Sequence, residues 1–395
     1  MNLSVLMISS FYYPYIGGLE RQAHTLSKEL VRLGAKVTVL TGRYDSGLPR
    51  RQRLDGVTVR RLPFSRRAWL RALIFLPAIT AFLIFNARKY DVIHLHGFGW
   101  YLLAVTPIAR LLKTPVLLKF PSAKKGGFAG IKKRRLSRVL LGLIKSPDAF
   151  VSISDEITEE LLAGGIPRSR IFKAFNGVDT ALYHPPESDI DKGQLREKLL
   201  LPEGKLCLFT GRFVPEKGLD DLLAVWPEIV KENPDAHLIL CGEGPQEEEL
   251  LELSKLSTVE ENIHFTGFTE NTADYYRAAD ILVLPSYREG NSNSILEAMA
   301  SGLPVASTTA GGTPALVGRA GADYLVTPGD RPSLLKALSE LLTDKARRDE
   351  LGAESRKRAE MLSIEKSASH YLNGYKRMAS GQLDKIGDLT PQFGL

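Results

Sequence analysis

A chain of 395 residues, 44% hydrophobic and 25% charged, is long enough for two ordinary α/β domains and excludes disordered, collagenous and disulfide-stapled classes. Its net charge of +7 is unevenly held: residues 43–146 carry 22 lysines and arginines against three acids, while the rest of the chain is net −12. The N-terminal half therefore calls for an anionic partner, and phospholipid headgroups, a polyprenyl diphosphate and nucleic acid all carry charge of that sign.

Residues 3–9 form a short apolar run with no basic segment before it, which predicts a buried strand and not a secretory leader. A glycine-containing turn and an amphipathic helix over 20–33 follow, with Gly34 placed to end that helix. Further strands are predicted over 37–41, 56–62, 92–96, 116–120 and 149–152. Residues 68–85 approach the length of a membrane span, but Arg71 and Pro77 interrupt them and both flanks are basic. They read as one or two helices, buried or lying at a membrane surface. Residues 130–146 set Leu136, Val139, Leu140 and Leu143 at helical spacing among Lys132, Lys133, Arg134, Arg135 and Arg138. That is a basic amphipathic helix suited to an anionic membrane, against the plainer reading of a core-packed helix with a solvated face. Gly126-Gly127 before it suggests a mobile acceptor loop.

A polar connection from Asn176 to about residue 205 divides this series from a second. Strands are predicted there over 206–211, 237–241, 263–266, 281–285 and 305–307, then helices over 333–342, 345–362 and 365–378, and a frayed tail from 380. The two cysteines, Cys207 and Cys241, fall in strand-like runs without zinc-ligand spacing. They read as reduced core thiols, consistent with a cytoplasmic setting. Strands alternating with helices throughout predict parallel α/β sheets, with one architecture used twice.

Four segments could carry chemistry. Ser286-Tyr-Arg-Glu289-Gly-Asn-Ser-Asn-Ser-Ile-Leu-Glu297 runs from a strand end through a polar loop into a helix. The open N–H groups and dipole of a helix start suit a diphosphate, and the two carboxylates suit sugar or ribose hydroxyls. Thr210-Gly211-Arg212-Phe-Val-Pro-Glu216-Lys217-Gly218 puts two cations beside glycine, able to neutralise charge on a leaving diphosphate without a divalent metal. The Asp-x-Asp patterns lie elsewhere, at 189–191 in the linker, and Asp220-Asp221 falls inside a predicted helix. Pro14-Tyr-Ile-Gly17-Gly18 is a glycine turn where backbone can approach a phosphate. It does not complete a dinucleotide fingerprint, and the second strand ends without the acid a nicotinamide ribose needs. Asp91-Val-Ile-His94-Leu-His96-Gly ends a strand where α/β sites collect; His94 is expected on the opposite strand face from His96, packed and not reactive.

The Glu289-x7-Glu297 segment resembles the signature of glycosyltransferase family 4, retaining enzymes of the GT-B fold, and the resemblance runs from Pro14 to the last helix. It implies two Rossmann-like domains whose parallel sheets face across a cleft: 1–175 for the acceptor, 176–364 for the nucleotide-sugar donor, and 365–395 a C-terminal helix packing back on the N-terminal domain, plus tail. It implies that Glu289 contacts the donor sugar, Glu297 the nucleotide ribose, and Arg212 with Lys217 the diphosphate. Gly17 and Gly18 would lean on the donor phosphates, and His96 would lie beside the reacting sugar. Gly211, Gly244, Phe268, Gly290, Asn291 and Ser292 complete the donor set. Lys119, Lys124 and Lys125 are candidate acceptor contacts. Relatives carry Gly-Phe-Pro or Gly-Phe-Gly after the first glutamate where this chain has Gly290-Asn-Ser, which leaves the donor sugar open.

The expected activity is transfer of a hexose-type sugar, with retention, from a UDP- or GDP-sugar to a lipid-linked or otherwise anionic saccharide, as in surface-glycan assembly. No cofactor, metal or nucleic acid is expected, and the setting is the inner face of a cell membrane, held peripherally. A nucleotide-sugar 2-epimerase of the same fold, which would convert free donor without acceptor, and a non-catalytic glycan- or nucleotide-binding protein are the rivals.

Overall fold

The computed structural model describes residues 3–389, apart from 16, 66, 100 and 124–136. The chain divides into two compact units, Met1–Gly177 together with Ile364–Gln392, and Val178–Ser363.

The first unit is built on an eight-stranded sheet: β1 (Ser4–Ile8), β2 (Lys36–Arg43), β3 (Arg51–Leu54), β4 (Val57–Pro63), β5 (Val92–His96), β6 (Val116–Lys119), β7 (Ala149–Ser152) and β8 (Ile171–Lys173). The order across it is β3-β4-β2-β1-β5-β6-β7-β8, and among the described residues only the β3–β4 pair is antiparallel. That pair turns at Asp55 and Gly56, both with positive φ (47° and 81°), the Asp-Gly chemistry of a tight hairpin. β5, β6 and β7 are buried along their whole length, as parallel strands covered on both faces must be. The helix Gly18–Arg32 ends as expected at Gly34 (φ 89°). Gly34 N donates to Val31 O and Ala35 N to Leu30 O, both at 2.9 Å, which satisfies the last carbonyls.

The helix Ile364–Ala379 belongs to this unit. Its buried stripe, Ile364, Ala368, Tyr371, Tyr375 and Met378, has the i, i+4, i+7 spacing of one helix face and joins the N-terminal core. Ser367 Oγ donates to Phe175 O (2.9 Å), and a Cβ on Gly177 would lie 2.5 Å from Ile364 Cα. Only glycine lets the chain pass there.

The second unit holds six parallel strands: β9 (Lys205–Thr210), β10 (Ala236–Cys241), β11 (Ile263–Gly267), β12 (Ile281–Leu284), β13 (Val305–Thr308) and β14 (Leu325–Val326), ordered β11-β10-β9-β12-β13-β14. Asp280, just before β12, is a half-buried tie point. It accepts from Leu206 N (2.7 Å), Arg196 Nη2 (2.8 Å) and Lys192 Nζ (2.6 Å), fastening the helix Asp189–Lys198 beneath the sheet. Burial opposes its charge, but Lys192 and Arg196 prevail and hold the carboxyl below its ordinary pKa.

Candidate active site

The order of the second sheet creates the site. From β9 the chain steps outward through β10 and β11, then crosses to the other side of β9 to lay down β12. The strand order reverses between β9 and β12, and the loops leaving their C-terminal ends part there, which is where open α/β sheets bind ligands.

These two loops are Arg212–Gly218 and Pro285–Ser292. Gly218 has φ 67°, and a Cβ there would lie 2.3 Å from Pro285 O, so glycine brings the loops together. Tyr287 N donates to Glu216 O (2.9 Å), and Arg288 pairs with Glu216 (2.8 Å). At the centre Lys217 Nζ donates to Glu289 Oε1 at 2.6 Å, and Ser286 Oγ donates to the same oxygen at 2.7 Å. Glu289 is nearly buried, Lys217 about a fifth exposed, and Arg212 lies exposed at the loop's start. Behind them Asp221 accepts from the Tyr287 hydroxyl and from Arg331 Nε (2.7 Å).

The helix Asn293–Ala300 starts directly after the second loop, and the side chain of its N-cap residue, Ser292, makes no cap bond. Ser294 Oγ donates to Thr210 O (2.9 Å), tying the helix start to the end of β9. Glu297, only 6% exposed, accepts from Tyr276 OH (3.1 Å). Burial first, and the nearby Glu297 charge second, push the Tyr276 phenol above its usual range, so it stays a donor. The loop after β13 supports Glu289 from below: Gly311 (φ 57°) has its Cβ position 1.9 Å from Glu289 O, and Gly312 N donates to Gly290 O (2.8 Å). The loop after β10 closes against the first: Phe213 N donates to Glu243 O (2.9 Å), and a Cβ on Gly244 would lie 2.3 Å from Phe213 O. Phe268, after β11, is about half exposed. Gly211, Arg212, Lys217, Gly244, Phe268, Glu289, Gly290, Asn291, Ser292 and Glu297 thus gather at one edge of one sheet.

In the first unit His94 and His96 share a face of β5, their ring centroids 4.1 Å apart. The expected opposite placement is corrected: residues two apart on a strand point the same way. His94 Nδ1 and Tyr375 OH are hydrogen-bonded at 2.6 Å. His96 is buried, with neither ring nitrogen bonded among the described residues. Across the sheet its register partner is Lys119, itself buried and donating to Asn176 Oδ1 (2.8 Å). Burial lowers the Lys119 pKa to about 7. Burial, and secondarily Lys119, hold His96 well below the ordinary histidine range, so its imidazole is neutral at pH 7.

Comparison with known proteins assigns the family and the fold. A family model described as glycosyl transferase 4-like domain matches residues 17–173, and one described as glycosyl transferases group 1 matches 204–344. The chain belongs to the family 4 glycosyltransferases. It is 27% identical over 392 residues to an uncharacterised glycosyltransferase of Methanocaldococcus jannaschii, covering 95% of this chain and 98% of the other. It is 27% identical over 314 residues to the alpha-monoglucosyldiacylglycerol synthase of Streptococcus pneumoniae, covering 76% and 69%. Among solved structures, Anabaena HepE in complex with UDP-glucose superposes with a TM-score of 0.76 at 20% identity, covering 94% of this chain and 99% of that one. The fold is GT-B, as the resemblance implied.

The remaining expected site residues of the glycosyltransferase lie on the first unit. Gly17 starts the helix Gly18–Arg32, and Arg21 N donates to Gly17 O (2.9 Å). The preceding loop is braced by Tyr12 OH to His24 Nδ1 (2.8 Å), His24 Nε2 to Asp55 (2.9 Å) and Arg61 Nη2 to Tyr13 O (2.8 Å). Lys119 is a buried lysine at the end of β6. Lys124 and Lys125 lie outside the described residues, as do Gly126-Gly127 and Lys132–Arg135 of the basic stretch. Sequence reasoning assigned no role to Tyr276, Gly311, Asp221 or Ser286, although Ser286 opens the Glu289 segment. Gly311-Gly312, a glycine pair following a strand, carried a local signal.

Proposed function

We propose that this glycosyltransferase moves a hexose-type sugar from a UDP- or GDP-sugar to a lipid-linked or otherwise anionic saccharide with retention, and without a metal. The observation that carries the reading is the gathering of Arg212, Lys217 and the start of Asn293–Ala300 at the parting of the β9 and β12 loops. Those groups suit a diphosphate.

In the proposed reaction the bond from sugar C1 to the diphosphate oxygen breaks, and the diphosphate takes the electron pair. Charge builds on that oxygen, where Arg212, Lys217 and the helix N–H groups stabilise it more than in the ground state. The acceptor hydroxyl attacks C1 from the face the diphosphate leaves and gives its proton to the departing phosphate, so the anomeric configuration is kept. Glu289 accepts from donor-sugar hydroxyls and, when the diphosphate arrives, releases Lys217 to it. Glu297 accepts from the ribose, with Tyr276 orienting its carboxylate. Gly211, Gly244 and Phe268 face the nucleotide, Gly290, Asn291 and Ser292 the sugar and phosphates, and Gly17 and Gly18 the phosphates. His96, neutral, bonds a hydroxyl of the reacting sugar. Lys119, Lys124 and Lys125 serve the acceptor, Lys119 from its buried place against Asn176.

A UDP donor is supported by the HepE complex with UDP-glucose, and a lipid acceptor by the relative named as a monoglucosyldiacylglycerol synthase. Among the described residues no helix is long and apolar enough to cross a membrane; the basic N-terminal half instead supports peripheral contact with an anionic membrane, at its cytoplasmic face.

The test is to incubate the purified protein with labelled UDP- and GDP-sugars and a bacterial lipid extract in EDTA, then read the anomeric configuration of the product. Transfer with retention supports the reading. Donor converted to another nucleotide sugar without acceptor would make the protein an epimerase, and transfer only after added divalent metal would remove the metal-free clamp.

A further inference from the structure

The N-terminal unit carries an apolar surface that its own core does not use. The helix Ala68–Asn86 has no acidic residue, and its inward face sets Phe75, Ile79 and Leu83 into the core. Its outward face is Leu73, Ile74, Pro77, Ala81, Ile84 and Phe85, all exposed, at the i, i+1, i+4, i+8, i+11, i+12 positions of one stripe. Leu73 is 65% and Phe85 78% exposed. A helix apolar on every side is ordinarily buried on every side, and contiguous exposed apolar surface marks an interaction site.

The packed neighbour Leu102–Leu111 extends this surface at one end. The two helices run into the starts of the adjacent parallel strands β5 and β6, and Thr114 Oγ1 donates to Ala87 O (3.5 Å) just past their C-terminal ends. Ile84, Phe85 and Leu111, the last 79% exposed, therefore collect at that end. Arg88, Lys89, Arg110 and Lys113, all exposed, stand around them. Over residues 67–113 six cations meet a single acid, Asp91, which is occupied by Ser4 N (2.7 Å).

We infer that this end of the unit docks on an anionic phospholipid bilayer, with Ile84, Phe85 and Leu111 entering the headgroup–acyl boundary and the four cations on lipid phosphates. The inference rests on the membrane contact proposed above and names the surface that makes it. Charge selects the occupant. A second copy of this chain would set four cations against four, and an apolar protein face would leave them unmatched. A bilayer supplies an apolar layer and anions together, and long basic side chains reach from one to the other.

The experiment floats the full chain with phosphatidylcholine vesicles, with and without phosphatidylglycerol. Wild type is expected on the anionic vesicles alone and is released by salt. Phe85→Asp with Leu111→Asp, and separately Arg88→Glu with Lys89→Glu, should each lower the bound fraction roughly tenfold, with melting temperature and nucleotide binding unchanged. Should the aspartate pair not fold, the glutamate pair, placed on exposed side chains, gives the same reading. Wild-type binding that neither pair weakens would overturn this surface and leave the membrane contact standing elsewhere. No wild-type binding to anionic vesicles would overturn both and leave the transferase assignment intact. A wild-type dimer made monomeric by Phe85→Asp would make the face a self-interface and overturn the inference.

Discussion

Lys217 and Glu289 neutralise each other at 2.6 Å, so the cation reserved for the diphosphate is held in place before the donor arrives. Lys217→Ala should lower kcat by about 10²–10³, the usual cost of losing one preorganised donor to developing negative charge. Turnover at saturating donor checks this, with a melting curve to show that Glu289 left beside Ser286 has not unfolded the loop. Lys119 gives a stability prediction with a definite sign. Its folded pKa of about 7 lies below the unfolded value, so between about pH 7 and 10 the unfolded chain binds more protons and folding stability rises with pH. Urea unfolding of wild type against Lys119→Met should show wild type gaining by up to about 1.4 kcal/mol per pH unit from pH 7.5 to 9. A difference constant across that range would contradict the buried, near-neutral lysine. At this scale Glu289, Glu297, Arg212 and Lys217 were legible because each sits at a strand-to-helix junction whose local pattern announces it. Tyr276 and Asp221 were not, because their relation to the site depends on pairings 21 and 66 residues away in the chain.

The elements that position these residues depend on backbone close approach. Gly218 combines φ 67° with a Cβ position 2.3 Å from Pro285 O. Gly218→Ala should cost at least about 1–2 kcal/mol and weaken nucleotide binding as well, measured by denaturation and by titration of UDP. A variant with wild-type stability and affinity would mean that the two loops are not held together there. Beneath the same sheet, Asp280→Asn removes a charge shared by Lys192 and Arg196. It should cost about 3 kcal/mol at pH 7. Because the folded carboxyl titrates below the unfolded one, that contribution is present above the unfolded pKa and lost as pH falls through the folded value. Most strands were legible as apolar runs. β3, Arg51–Leu54, was not, because an edge strand of Arg-Gln-Arg-Leu buries none of its residues fully. β14, at two residues, and β8, at three, are too short to show a period. The misplacement of His94 was an error of period and not of signal.

For the molecule as a whole, the alternation of strands and helices carried the fold, and the two α/β units follow from it. The place of the last helix was legible only through family resemblance, since its apolar stripe would suit any unpaired sheet face. Truncation after Ser363 strips Ala368, Tyr371, Tyr375 and Met378 from the N-terminal core. The shortened chain should aggregate on expression, which fractionation of the lysate checks. In the proposed reaction the enzyme holds its donor by the diphosphate, through Arg212, Lys217 and the start of Asn293–Ala300, without metal. Calorimetric titration of UDP and GDP in EDTA, into wild type and Arg212→Ala with Lys217→Ala, tests it most directly. One nucleotide should bind wild type, unchanged by EDTA and weakened at least about a hundredfold, near 3 kcal/mol, in the double variant. Equal affinity in the two proteins, or binding that vanishes with EDTA, would contradict it.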